Sequence, residues 1–287
     1  MSLALARRLG GSAPWLDGLA DRVQPALQRL LSEHASVQDA LAGRWLGAPL
    51  HPSLTDVAVG SLTAAVVLDA AGPAERGLGD GPLVVAVAAS LPTAVTGSAD
   101  WAHLKGEERR IGTLHALGNA TGLALNVASL CLRASGRRRA GRALSLTAFA
   151  VTAIAAHLGG QLAFGLGTRV NRTARAVSPG EFVDVLHASS VDDRELRRVE
   201  LDGTAVLVAR CAAGELCAIS ATCSHLGGPL DEGERHGDTV TCPWHGSRFD
   251  LRTGAVLSSP AVYAQPRYEV KEEAGRILLR GEGGEAG

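Results

Sequence analysis

The pattern of apolar and polar residues changes character along the chain. Over residues 1–45, apolar residues recur at helical spacing with Asp17, Asp21 and Arg22 between them, which predicts an amphipathic N-terminal region. Pro25 lies inside this pattern, and we expect it to divide the region into two short helices because proline cannot donate the helical hydrogen bond. The apolar stripe suits three positions: a membrane surface, a partner helix or the body of the protein itself.

Residues 46–167 contain four apolar stretches, with a kink expected at Pro92. They lie at about Leu54–Ala71, Leu83–Ala99, Ile111–Leu132 and Ala143–Leu166. Each has about 17–25 residues, the length that crosses the hydrocarbon core of a bilayer. They are rich in Ala and Gly, and the row Ala148, Thr152, Ala156 and Gly160 would allow helices to approach closely. The pattern predicts an all-α four-helix transmembrane bundle; a soluble bundle with a small-residue core is the alternative.

The C-terminal part of the chain follows a different period. Residues 168–180 are basic and predict a linker. Over residues 181–281 the apolar positions alternate in short runs separated by turn signals, which predicts a small all-β domain. Five strands are expected, beginning near Phe182, Ala205, Leu216, Arg267 and Arg276. The fold class is therefore multidomain, with a helical membrane domain followed by an all-β domain.

Charge and cysteine content restrict the location and the partners. The sequence has 28 Lys and Arg against 29 Asp and Glu, so no overall positive field favours nucleic acid. Five cysteines without an evident signal peptide fit a chain whose metal chemistry is assembled on the cytoplasmic side. Lys and Arg divide almost equally between the two sides of the predicted bundle. We expect a multi-pass protein of the cell membrane, in contact with lipid, with the β domain in the cytoplasm.

One motif in the β domain carries metal chemistry. Cys223-Ser-His225 and Cys242-Pro-Trp-His245 are separated by sixteen residues, so each of two loops supplies one thiolate and one imidazole. This ligand set suits a 2Fe-2S cluster with two different irons: Cys223 and Cys242 hold one iron, and His225 and His245 hold the other. A structural zinc site with Cys2His2 ligands is the alternative, although the spacing differs from that of the usual zinc fingers.

These residues resemble the Rieske 2Fe-2S family, and in particular its ferredoxin-type members. The resemblance implies two three-stranded-type sheets, with the cluster at the tips of two loops and the imidazole edges facing solvent. It also implies cluster-tuning roles for five residues that surround the ligands: Gly227, Gly246, Ser247, Phe249 and Pro260. Gly227 and Gly246 let the loops turn tightly.

Departures from the high-potential members of that family indicate a lower potential. Ser247 stands where the family often bonds a bridging sulfide, and Pro260 belongs to a loop that resembles the one covering the cluster. Phe249 stands where high-potential members have a tyrosine hydroxyl, and one hydrogen bond fewer to sulfur lowers the potential. Gly228 and Trp244 occupy the places of a disulfide in respiratory members. Cys211 and Cys217 are expected to be buried small apolar residues, with a cross-strand disulfide as the alternative.

Three features of the helical region also resemble a known family: the run from Trp45 to Asp56 with Asp69 at the far end of that helix, the pair His115-x3-Asn119, and Leu158-Gly-Gly. Over about residues 15–172 they are similar to an uncharacterised four-helix membrane family that is often fused ahead of a Rieske domain. That family offers no established activity. His51, His115, Asn119 and His157 lie in or near the apolar stretches, where polar groups usually have a function. Three interpretations remain open: His115 and His157 bind a haem b, these residues line a quinone pocket, or they bond to polar neighbours inside the bundle.

The functional prediction is a membrane-anchored Rieske protein that carries single electrons in a redox chain. Its partner would be a redox protein or a quinone, and haem or quinone would be the membrane cofactor. No mononuclear iron site follows the cluster motif, so no catalytic residue is assigned and the chain fits a component of an oxidoreductase better than a complete oxygenase. The alternative is a membrane scaffold whose cluster senses redox state or iron.

Overall fold

The computed structural model describes Arg8 and residues 15–176, 179–192, 195–212 and 214–282. The chain forms two compact units. One consists of Met1–Leu41 and Pro49–Thr168, and the other of Ala42–Ala48 and Arg169–Gly287. The first is helical and the second is built from strands.

Six α-helices form the described part of the first unit. They are α1 (Trp15–Glu33), α2 (Ala35–Ala42, which ends at the unit boundary), α3 (Leu50–Ala70), α4 (Asp80–Trp101), α5 (Gly106–Ala134) and α6 (Arg138–Gly160). A π-helical turn, Gln161–Gly165, follows α6. The four long helices α3 to α6 correspond to the four apolar stretches.

Three of these helices are long and apolar enough to cross a membrane. They are Leu50–Ala70, Asp80–Trp101 and Arg138–Gly165, with mean hydropathies of 1.4, 1.5 and 1.5. Helix α5 has sufficient length, but His115, Asn119 and Asn126 lower its hydropathy. The helical membrane-type region is confirmed, whereas the count of four spans is not.

The N-terminal region differs from the expectation at Pro25. Helix α1 continues through this residue to Glu33, and the helical structure is interrupted at His34. Leu16, Ala20 and Leu31 are buried, so the helix packs against its own protein, which is one of the three positions considered. Its polar side is held as well, because the Gln24 amide donates to the carbonyls of Trp101 (2.9 Å) and Leu104 (3.1 Å).

The close approach of α5 and α6 follows from their small residues. A Cβ on Gly118 would lie 2.9 Å from the Cβ of Ala155, and one on Gly122 would lie 2.3 Å from the Thr152 hydroxyl. Ala148, from the small-residue row predicted in the sequence, is fully buried. Such contacts replace the hydrophobic driving force that is missing between helices in lipid. Pro92 is accommodated inside the continuous helix α4.

A buried charge network joins α3, α4, α5 and α6. The Arg133 guanidinium donates to both carboxylate oxygens of Asp69, to Asp80 Oδ1 (2.8 Å) and to the Ser145 hydroxyl (3.0 Å). Its side chain is 3% exposed. Arg142 adds a second cation 3.1 Å from Asp69. The network therefore compensates charges that would be costly to bury alone.

In the described part of the second unit, ten strands form two antiparallel sheets. They are β1 (Val183–His187), β2 (Leu196–Leu201), β3 (Thr204–Arg210), β4 (Leu216–Ser220), β5 (Glu234–His236), β6 (Thr239–Thr241), β7 (Arg248–Asp250), β8 (Val256–Ser258), β9 (Arg267–Glu273) and β10 (Arg276–Gly281). The larger sheet has the order β1-β10-β9-β4-β3-β2, and the smaller has the order β5-β6-β7-β8. The all-β class is confirmed, but the sheets have six and four strands rather than three each, because β9 joins the β1/β10 pair to β4.

Cys211 and Cys217 are buried, as expected, and they form the disulfide that was the alternative, across the β3–β4 hairpin with 6.3 Å between their Cα atoms. Within residues 168–180, predicted as a linker, Arg172 N–H donates to the Ser224 carbonyl (3.1 Å). The Asn171 side chain caps Thr173, as in a turn.

Candidate metal centre

The two ligand-bearing loops share one backbone plan. The first follows β4 and the second connects β6 to β7. In each loop the cysteine N–H donates to the carbonyl five residues on: Cys223 to Gly228 (2.8 Å) and Cys242 to Ser247 (2.8 Å). The N–H four residues on then donates back to the cysteine carbonyl, from Gly227 (2.9 Å) and Gly246 (3.0 Å). Two closed turns therefore present their cysteines in the same way.

Glycine is required at three points of these turns. Gly227 (φ 82°) and Gly246 (φ 75°) both lie in the left-handed region, which side chains other than glycine adopt at a cost. Gly228 is required for space, because a Cβ there would lie 2.8 Å from Cys242 Sγ and 3.1 Å from the Trp244 ring. A cysteine at position 228, as in the respiratory members, would not fit beside Trp244.

The two thiols lie side by side in a buried pocket. The hydrogen bond between Cys223 and Cys242 raises the pKa of Cys223, as does burial, and it lowers the pKa of Cys242 to about 7. Backbone N–H groups two and three residues after each cysteine also donate to its sulfur, from His225 and Leu226 in one loop. Trp244 and His245 do so in the other. These donors favour the thiolate form that binds metal.

The two imidazoles of the ligand loops also lie next to each other. The rings of His225 and His245 are 5.1 Å apart and perpendicular. His245 is partly exposed, but His225 is only 4% exposed, contrary to the expectation that both edges face solvent. Nearby, Arg172 N–H donates to the Ser224 carbonyl of the first loop (3.1 Å), and Arg169 donates to the Pro260 carbonyl (3.0 Å).

The remaining candidate residues surround this pocket. The Ser247 hydroxyl accepts a hydrogen bond from Ala261 N–H (3.0 Å), which leaves its own proton available to another acceptor. Ala261 follows the cis peptide bond between Ser259 and Pro260, so the proline loop is tied to the second ligand loop. Phe249 is fully buried in the same apolar cluster as Cys223 and Cys242.

The donor set fits a two-iron cluster better than zinc. A structural zinc ion needs four donors that converge on one point. Across the part of the chain that the structure describes, no three His, Cys, Asp or Glu side chains converge in that way. In a Rieske cluster each iron takes only two protein ligands, two sulfurs or two imidazoles. Paired thiols and paired imidazoles match that division.

In the helical unit, the candidate residues lie next to different neighbours from those considered in the sequence. His115 lies beside His51, with 6.4 Å between ring centroids, and Asn119 Nδ2 is 3.2 Å from His115 Nε2. His157 is exposed, and its Nε2 lies 3.3 Å from the Gln161 amide. His115 turns towards the Ala155 carbonyl of α6 (2.7 Å), so these contacts bring it beside His51 and not beside His157. Gly97, which packs against the His51 ring, had no signal in the sequence, whereas Gly159, which packs against the His115 ring, belongs to the motif Leu158-Gly-Gly.

Known families match both units. Residues 181–269 match the Rieske [2Fe-2S] domain, and residues 47–172 match a predicted membrane protein family, DUF2231. Ferredoxin CarAc of Metapseudomonas resinovorans is 33% identical over 101 residues, which are 35% of this chain and 94% of that protein. The ferredoxin component of the p-cumate 2,3-dioxygenase system of Pseudomonas putida is 33% identical over 34% of this chain and 85% of that protein.

Other matches have a different extent. Mouse apoptosis-inducing factor 3 is 32% identical over 36% of this chain, but the chain spans only 17% of that protein's length. Among solved structures, the ferredoxin of carbazole 1,9a-dioxygenase from Nocardioides aromaticivorans IC177 is 32% identical, with a TM-score of 0.34, over 35% of this chain and 98% of that chain.

These matches agree with the ligand loops and with the apolar helices. The Rieske domain is homologous to ferredoxins, which carry electrons, and a domain of this type implies a 2Fe-2S cluster. The helices fit the membrane family matched by the first unit. The chain therefore belongs to the Rieske [2Fe-2S] family, with its Rieske domain fused to a membrane domain of the DUF2231 family.

Proposed function

We propose that the protein is a membrane-anchored one-electron carrier. Cys223 and Cys242 bind one iron of its cluster, and His225 and His245 bind the other. The observation that carries this assignment is that the two thiols contact each other and the two imidazoles contact each other, with 5.1 Å between the ring centroids. The helices of residues 46–167 are the anchor, and residues 181–281 form the redox domain.

When bound, the cluster supplies a centre that takes up and releases one electron. The chain's own residues orient the ligands and exclude water. The backbone donors at positions 225, 226, 244 and 245 stabilise negative charge on the sulfurs. The Ser247 hydroxyl is placed to donate a further bond, and its position is fixed by Ala261 N–H. Phe249 has no hydroxyl and so donates no hydrogen bond to the sulfurs, which supports a reduction potential in the ferredoxin-type range.

The partner is a second redox protein or a quinone. Relatives named as ferredoxin components of dioxygenase systems support a protein partner. Such a partner would approach at His245, the more exposed imidazole, beside Trp244, a residue that is 51% exposed and whose ring centroid is 6.3 Å from that of His245. Aromatic side chains of this kind often anchor protein interfaces. In the membrane, lipid surrounds the helices, and a haem or quinone would link the cluster to a membrane redox pool.

We place the Rieske domain on the cytoplasmic side. The odd number of cysteines supports this orientation, because it does not suggest a disulfide framework of the kind found in exported proteins. On that side the Cys211–Cys217 disulfide would be reduced in the cell. Alkylation of both thiols in intact cells without added reductant is the expected result, and resistance to alkylation until reduction would contradict this orientation.

Ligand variants test the assignment directly. We expect the full-length protein to contain iron and acid-labile sulfide in equal amounts, and Cys223→Ser, Cys242→Ser, His225→Ala and His245→Ala to lose both. His236→Ala is the matched control, because this exposed histidine of the same domain lies 3.6 Å from Glu234 and away from the ligand loops. Bound zinc without labile sulfide in the unaltered protein would overturn the assignment.

A further inference from the structure

His51 and His115 form a second pair of imidazoles, inside the helical unit. Their ring centroids are 6.4 Å apart, and the rings are nearly perpendicular (84°). His51 is at the start of α3, and His115 is in α5. Neither residue has a role in the iron-sulfur cluster. Polar side chains inside membrane helices are costly and usually have a function.

The hairpin of α3 and α4 holds His51 by three contacts. Its Nδ1 lies 3.0 Å from the Thr93 carbonyl and 3.4 Å from the Thr96 hydroxyl. The hydroxyl of Thr55, four residues after the histidine, donates to the His51 carbonyl (2.9 Å). Gly97, four residues after Thr93, leaves space for the ring, since a Cβ there would lie 2.7 Å from His51 Cε1.

The hairpin of α5 and α6 repeats this arrangement around His115. Its Nδ1 lies 2.7 Å from the Ala155 carbonyl. The amide of Asn119, again four residues after the histidine, donates to the His115 carbonyl (3.0 Å). Gly159, again four residues after the accepting carbonyl, would place a Cβ 2.9 Å from His115 Cε1. The sequence shows no internal repeat, so the equivalence of the two hairpins is visible only in these contacts.

The contacts fix the tautomer of both rings. A backbone carbonyl only accepts hydrogen bonds, so Nδ1 carries the proton in each histidine and Nε2 carries the lone pair. Histidines that bind metal are commonly oriented in this way, by donation of the other ring N–H to a carbonyl. Metal–nitrogen bonds of about 2.0–2.1 Å, with about 1.1 Å from nitrogen to ring centre, place two ring centres roughly 6 Å apart across one ion. The observed 6.4 Å meets that requirement.

The number of protein ligands at this site indicates which metal group it would bind. A bare divalent ion generally needs three or four protein ligands. Among the described residues, no third His, Cys, Asp or Glu joins this pair. A haem iron takes its other ligands from the porphyrin and needs only axial imidazoles from the protein. The core between facing helices of a bundle is also a usual place for such cofactors.

We propose that His51 and His115 are the two axial ligands of a haem b held between the two hairpins. This site names the membrane cofactor of the proposed electron carrier, but its existence does not depend on the iron-sulfur cluster. Asn119 Nδ2 lies 3.2 Å from His115 Nε2, the atom that would bind the iron. Haem binding therefore requires this contact to break, while the Asn119 amide keeps its hydrogen bond to the His115 carbonyl. His157, which is exposed and lies against Gln161, has no part in the site.

Optical spectra of the full chain, purified in detergent from haem-supplemented cells, test this proposal. We expect equimolar haem by the pyridine haemochromogen assay and a low-spin bis-imidazole spectrum. His51→Ala and His115→Ala should lose the haem or become high-spin, whereas His157→Ala should keep the original spectrum. His115→Met should retain haem with a changed axial-ligand spectrum, so that a loss of folding is distinguished from a loss of a ligand.

Two adjacent glycines provide a matched pair. A Cβ at Gly159 meets the His115 ring, whereas one at Gly160 has nothing within 4 Å. Gly159→Ala should therefore weaken haem binding by about 10-fold or more, as a disturbed orienting shell does at metal sites, and Gly160→Ala should not. The iron-sulfur EPR signal is recorded in every variant, so failure of the cluster and failure of the haem site are separate results. Absence of haem from a chain with a full iron-sulfur complement, or loss of haem in His157→Ala alone, would overturn the proposal.

Discussion

Among the residues near the cluster loops, Phe249 is the one whose replacement we expect to change the midpoint potential most directly. It is fully buried in the apolar cluster that contains Cys223 and Cys242. Phe249→Tyr would add a hydroxyl donor beside the sulfurs and stabilise the reduced, more negative cluster. A hydrogen bond worth about 1 kcal/mol corresponds to about 40 mV for one electron, so we expect the midpoint potential to rise by roughly that amount.

Protein-film voltammetry checks this shift. Phe182→Tyr is the control, because Phe182 lies beneath Arg280 at the start of β1 rather than in the cluster core. It should leave the potential unchanged. An unchanged or lower potential in Phe249→Tyr, with full iron and sulfide content, would show that residue 249 does not set the potential through a hydrogen bond.

Arg133 gives a prediction about stability at the same scale. Its side chain is 3% exposed and faces Asp69, whose side chain is 8% exposed. Arg133→Met would leave a buried carboxylate with incomplete compensation, which costs about 3–5 kcal/mol. Arg139→Met is the matched control, since Arg139 is 88% exposed and 3.9 Å from Glu75, and its loss should cost about 0.5 kcal/mol or less. Thermal unfolding in detergent measures both, and equal losses would contradict a role for the buried network.

Helix α1 provides a prediction at the scale of elements. Arg110 and Arg109 bond to Asp17 and lower its pKa from an ordinary 3.8 to about 2. Because the folded-state pKa is lowered, the stabilising contribution is fully present above the ordinary pKa and is lost as the pH falls towards 2. Asp17→Asn removes it at all pH values, so we expect faster amide hydrogen exchange in α1.

The control for this helix is Glu33→Gln, at the exposed end of α1. It should leave the exchange of α1 unchanged. If Asp17→Asn also left it unchanged, the buried apolar contacts of Leu16, Ala20 and Leu31 would be sufficient to hold the helix.

Elements with a strong periodicity of hydrophobic residues were predictable from the sequence, whereas elements defined by tertiary contacts were not. The four long helices and strands β1, β3, β4, β9 and β10 follow from hydrophobic spacing. Strands β5 to β8 have only three residues each, too few for alternation to be recognised. Pro25 was expected to end a helix, but packing on both sides of α1 outweighs the loss of one hydrogen bond.

The candidate sites show the same limit. The ligand motif could be read directly because all four residues have distinctive chemistry and fixed spacing. The equivalence of Gly227 and Gly246 in the two loops appears only through their backbone bonds and positive φ angles. In the helical unit, the sequence offered several histidines but could not tell which two meet. That choice depends on which carbonyls and glycines of α4 and α6 face them.

The whole molecule joins a Rieske domain to membrane-type helices in one chain. We propose that the domain carries single electrons through a cluster bound by Cys223, Cys242, His225 and His245. A sensor would use the same ligands, but its cluster would be lost or rebuilt rather than cycled. Reversibility under controlled potential therefore separates the two functions.

The most direct measurement is an EPR-monitored redox titration of the full-length protein in detergent. We expect a Rieske-type signal in the reduced state that appears and disappears reversibly as a one-electron couple and is absent from His225→Ala. An EPR-silent protein that contains zinc would contradict the cluster, and a signal destroyed by the first oxidation would contradict electron transfer in favour of sensing.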